Sequence, residues 1–247
     1  MNIFAGYGVG DPVIYWVLRI LLLGILIYCG WGISYDSPKK FTKYAWIAGT
    51  FYSLIQGLRW LRGADYPHYY DDIVTLLGKY PGGISNGEET VDPEPLYELW
   101  CNVFYYSGLP FWVAFIIYSA LLIGGVFMIL KKIPNCAIWV LPTFFLLTQS
   151  SENIIRQYIA ISFLLYAIYF YLNNDKKKMI YSLVAIILIH YSGIIAIVVF
   201  LLTIVLPEKI FKVLEKRNMI YIYRIVYIHI FLLGHFTTFN VCRLDWE

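Results

Sequence analysis

Residues 152–160 read ENIIRQYIA and place five polar side chains (Glu152, Asn153, Arg156, Gln157, Tyr158) at the mouth of a segment that is otherwise apolar through Leu172. Read as a helix, Glu152 and Arg156 share one face at i, i+4 spacing, Asn153 and Gln157 share the next, and small Ala160 follows a turn later. A guanidinium at the end of an apolar helix is costly unless something anionic meets it, which makes Arg156 a functional-site candidate. The competing reading is structural. In that reading Arg156 snorkels to the head groups, or pairs with Glu152 to help helices pack.

Composition decides the solvent. The chain has 247 residues, 60% of them hydrophobic and 19% aromatic, and only 14% charged, too few polar groups to cover a soluble domain of this size. An integral membrane protein is implied. The net charge of +3 sits in short clusters between apolar runs, which gives no footing for nucleic acid. Cys29, Cys101, Cys136 and Cys242 are scattered without CxxC spacing, so neither a metal site nor a disulfide framework is expected, and no cofactor motif is present.

Outward from the quoted stretch, the pattern predicts an all-α polytopic membrane protein, a single domain over 1–247 with about seven transmembrane helices. The first span, Val13 to Ile33, lacks the charge pattern and cleavage site of a signal peptide. Lys39, Lys40 and Lys43 after it mark a cytoplasmic loop and place the N-terminus outside. Phe41 to Leu58 returns the chain to the outer face. There a loop over 59–108 opens with seven acidic residues (Asp65, Asp71, Asp72, Glu88, Glu89, Asp92, Glu94) against Arg59, Arg62 and Lys79. Within it, Tyr66 to Lys79 has helical spacing, Tyr80 to Pro95 is expected to be irregular, and Leu96 to Tyr106 reads as an amphipathic helix at the interface.

Leu109 to Leu130 is the third span, closed by Lys131 and Lys132. Asn135 to Thr148 is brief, since ~14 helical residues rise only ~21 Å. The turn at Gln149 to Asn153 is therefore expected below the outer surface, with Arg156 and Gln157 on a water-filled cavity. Met179 to Leu206 is too long for one span and is interrupted by His190, Ser192 and Gly193, so a broken helix with a net crossing is expected there. Arg19 in the first span is read as packing or snorkelling, and Met219 to Phe239 as a last span.

Several stretches, in order, carry a resemblance: Gly57-Leu58-Arg59 with Gly63-Ala64-Asp65-Tyr66 and Tyr69; Glu94-Pro95-Leu96-Tyr97 with Asn102; Asn153-Ile154-Ile155-Arg156-Gln157 with Ile159-Ala160; and His190-Tyr191-Ser192-Gly193. Together they resemble the EpsG family of bacterial exopolysaccharide proteins, related to the Wzy-type O-antigen and capsule polymerases. The likeness runs from about Leu58 to Leu202. It departs at Ala64, where Thr is usual, and at Gly193, where Ala is usual. Such proteins generally continue into further spans, so a truncated product is expected.

The resemblance implies a multi-pass protein of the bacterial plasma membrane. Its reaction would be a membrane glycosyl transfer that joins undecaprenyl-pyrophosphate-linked oligosaccharides at the extracytoplasmic face, with flippase and chain-length regulator proteins as partners. That chemistry needs cations for the departing pyrophosphate, and Arg59, Arg62 and Arg156, with Gln157, are the candidates. It also needs a base for the attacking hydroxyl, for which Asp65, Glu94 and His190 are available. Tyr66, Tyr69, Tyr97 and Trp100 could stack on sugar rings. Each has a structural counterpart: Asp65 and Glu94 as helix caps, His190 as a packing residue. The second function class is a non-catalytic component of polysaccharide export or transport, or an inactive truncated member. The lack of an internal repeat and charges gathered at helix ends disfavour the transporter, while the missing further spans favour the inactive truncated member.

Overall fold

The computed structural model describes residues 12–58, 69–70, 72–76, 84–85, 88–89, 94–148 and 154–205. Arg59, Arg62, Asp65, Tyr66, Glu152 and the last expected span lie outside these residues. The chain forms two compact units, 1–197 and 198–247, and the second is described only along 198–205 at the end of one helix.

The described architecture is helical: α1 (Pro12–Tyr35), α2 (Phe41–Gly57), α3 (Pro95–Ser107), α4 (Phe111–Leu130), α5 (Ala137–Leu147), α6 (Ile155–Leu172), α7 (Lys176–Ile189) and α8 (Ile194–Val205). Val13–Tyr35, Phe111–Leu130 and Ile155–Leu172 are long and apolar enough to cross a membrane, and Pro134–Leu147 and Tyr191–Ile204 are shorter apolar helices. This is a membrane protein. Within Tyr80 to Pro95, expected to be irregular, Ile84–Ser85 pairs antiparallel with Glu88–Glu89. The sequence between them, Asn86-Gly87, is the one that two-residue hairpin loops favour.

Packing follows the helical period. On α1 the buried row is Arg19, Leu22, Leu26, Cys29 and Ile33, spaced three and four apart, while Val13, Trp16, Ile20, Ile27 and Trp31 are exposed. That row meets Tyr44, Ala48 and Tyr52 of α2 and Ala137, Leu141 and Phe145 of α5 in the main core, with Ile123, Val126 and Phe127 of α4 completing it. Neighbour packing runs α5, α1, α2, α4, α6, α7, and α3 lies against α7. Ser34 Oγ donates to Pro134 O (3.2 Å) and accepts from Ile138 N (3.0 Å), tying the end of α1 to the start of α5. Arg19 does not snorkel. It is only 3% exposed, with its guanidinium 5.0 Å from the Tyr15 ring and 5.4 Å from the Phe145 ring. Its place on the buried row decides this.

The α2–α4 crossing depends on Gly57, because a Cβ there would stand 2.5 Å from Ile116 Cα, a backbone atom that cannot move aside. Gly57→Ala is expected to force the helices apart and cost about 1–3 kcal/mol. Thermal unfolding in detergent would report it, and an unchanged midpoint would refute the close-approach argument.

Candidate functional site

The site begins with Glu94, which ends the long loop and precedes Pro95 at the first position of α3. The sequence suggests a helix cap, but the side chain makes no capping hydrogen bond; only the backbone does that work, Glu94 O accepting from Glu98 N at 3.0 Å. The carboxylate turns inward instead, and the residue is 2% exposed. Oε2 accepts from Arg156 Nη1 at 2.7 Å, and Oε1 takes a short hydrogen bond from His190 Nδ1. One carboxylate therefore joins side chains 62 and 96 residues away.

Arg156 is the second residue of α6, which starts at Ile155 after Ile154 in a non-helical conformation (φ −129°, ψ 57°). Glu152, the partner that i, i+4 spacing offers, lies outside the described residues. The carboxylate that Arg156 finds is Glu94. Its guanidinium also lies over the Tyr97 ring, 5.3 Å from the centroid, and the side chain is 34% exposed, so the group stays reachable. Gln157, the next residue, is exposed.

His190 stands at the expected break. α7 closes when His190 N donates to Ile186 O (2.9 Å), His190 is extended (φ −158°, ψ 106°), and a tight turn over Tyr191–Gly193 leads into α8. That turn packs closely, and a Cβ on Gly193 would press on the side-chain methyl Ile186 Cγ2. With Nδ1–H committed to Glu94, a neutral imidazole carries its lone pair on Nε2. Nε2 is buried and has no hydrogen-bond partner among the described residues.

Burial alone would push the Glu94 carboxyl up. The His190 hydrogen bond and the Arg156 charge outweigh it and hold the group below the ordinary glutamate range. Glu94 is thus ionised and already engaged by two donors, which makes it a poor general base. Tyr97, 3% exposed, donates its hydroxyl to Asp72 Oδ2 at 2.9 Å. Burial, with Cys101, Tyr118, Asp72 and Tyr69 around it, raises this phenol well above its ordinary range and keeps it a donor. Tyr69 is itself buried.

Of the residues nominated from sequence, the structure therefore unites Glu94, Arg156 and His190, with Tyr97 beneath the arginine rather than open for stacking. Arg59, Arg62, Asp65 and Tyr66 fall outside the described residues. Asp72 was missed, because a carboxylate in an acidic loop carries no mark of the tyrosine it will meet 25 residues later. Among the described residues, no three His, Cys, Asp or Glu side chains gather as a metal-ligand set.

Three of the quoted stretches, led by Glu94, Asn153 and His190, supply the members of this cluster although they lie far apart along the chain. Comparison with curated proteins and with solved structures gave no match. Residues 42–244 match the EpsG family, well over half of the chain, and span every member of the cluster. The chain belongs to the EpsG family, a family of Wzy-like polymerases.

Proposed function

We propose that this protein is a polysaccharide polymerase that joins undecaprenyl-pyrophosphate-linked oligosaccharides at the extracytoplasmic face of the bacterial plasma membrane. Family membership supports the reaction class. The observation that carries the residue assignment is Glu94 bridging Arg156 and His190. An acceptor sugar hydroxyl gives its proton to His190 Nε2 as its oxygen bonds the anomeric carbon of the donor. The bond from that carbon to the pyrophosphate oxygen breaks, and undecaprenyl pyrophosphate leaves with the electron pair. Arg156 takes up the charge that develops on the leaving group. Glu94 holds the imidazole in the accepting tautomer and balances the imidazolium that forms. Of the three bases considered, His190 is therefore preferred, and Arg59, Arg62 and Asp65 remain proposed contributors from the loop. In this reading about seven spans cross the bilayer with the N-terminus outside.

The test is complementation of a polymerase-deficient strain that makes the cognate repeat unit, read as polysaccharide length on a gel. The native chain is expected to restore long polymer. If it is inserted and stable yet only single units accumulate, the assignment of activity fails.

A further inference from the structure

We propose that Asp72 is a positioning residue for the pyrophosphate-binding arginine, acting through the ring of Tyr97. The inference rests on the reading of Arg156 as the phosphate cation. Two contacts bear on the orientation of that guanidinium: Glu94 takes Nη1, and Cζ lies over the Tyr97 ring, 5.3 Å from its centroid. A guanidinium carries five N–H donors in one plane, so a hydrogen bond at one nitrogen and a ring held beside the central carbon limit the directions in which its other donors point. The contact holds only while the ring keeps its place.

Asp72 keeps it there. Tyr97 is almost wholly buried, and its hydroxyl, on the far end of the ring from the backbone, is tethered to Asp72 Oδ2 at 2.9 Å. Asp72 begins the short helical turn Asp72–Leu76, which packs against α3, so the tether joins the loop to the helix that presents both Glu94 and Tyr97. A hydroxyl bonded to a carboxylate makes one of the stronger neutral-to-charged hydrogen bonds, and it shifts electron density toward the phenol, which strengthens the attraction of the ring for a cation. Sequence order hides this chain of contacts. In space it runs from Asp72 to Tyr97 to Arg156.

The experiment measures the affinity of inorganic pyrophosphate for the full chain in lipid nanodiscs, with the melting temperature of each variant recorded alongside. Asp72→Ala and Tyr97→Phe are each expected to weaken binding about fivefold when measured well below the melting temperature of each variant, and the double variant no more than either alone. Asp72→Asn, which keeps an acceptor for the hydroxyl, is expected to restore binding. A direct electrostatic role for Asp72 predicts the opposite sign, tighter binding in Asp72→Ala and no effect of Tyr97→Phe; either result overturns the proposal. Native affinity in both single variants, with binding abolished in Arg156→Ala, overturns this proposal and leaves the arginine assignment standing. No pyrophosphate binding by the native chain overturns both.

Discussion

Replacing His190 with Asn is expected to lower polymer-forming turnover by about 10²- to 10⁴-fold, the usual worth of a positioned general base. Asn is the informative substitution because its amide N–H can still donate to Glu94 while nothing replaces the lone pair at Nε2. The Glu94–Arg156 bond, and with it the fold around the site, should survive. The measurement is release of undecaprenyl pyrophosphate from the cognate lipid-linked repeat unit by purified protein in nanodiscs. Turnover within a few-fold of native would remove His190 from the chemistry and return the base to Asp65.

The second large effect is on stability. Glu94→Ala strips Arg156 and His190 of a shared partner. A fully buried pair broken from one side costs roughly 3–5 kcal/mol, and because Arg156 is about one-third exposed and can regain water, we expect about 2–3 kcal/mol here. The pH dependence follows from the lowered Glu94 value. A carboxyl whose folded-state value lies below its unfolded one contributes fully above the unfolded value, and that contribution is lost as the pH falls through the folded one. The difference in melting between native and Glu94→Ala should therefore be largest near neutrality and vanish at pH values below the ordinary glutamate range. The side chains facing Glu94 are those of Arg156, which remains ionised throughout, and His190. A difference that grows on acidification would contradict this account.

Much of the fold was readable before any coordinates. Hydropathy located α1, α4 and α6 to within a few residues, because a chain in lipid has to satisfy its backbone within each helix and so advertises its spans as apolar runs. The break at His190 was readable for a related reason: Ser192 and Gly193 interrupt a run too long for one span. Arg19 was ambiguous only while its row was ignored, since its three-residue offset from Leu22 already places it on the buried stripe.

The site divides along the same line. Residue chemistry and order nominated Glu94, Arg156 and His190 one at a time, each with a structural alternative. Helical spacing, the strongest local rule, offered Glu152 as one partner for Arg156, a position outside the described residues, and gave no sign of Glu94. Local periodicity can rank partners only within a helix. Which carboxylate reaches Arg156, and that the same carboxylate also turns the imidazole of His190, depends on α3 packing against α7 and on the start of α6 arriving beside both. Those are contacts between segments 62 and 96 residues apart, selected by the way whole helices pack, and no short-range pattern encodes them.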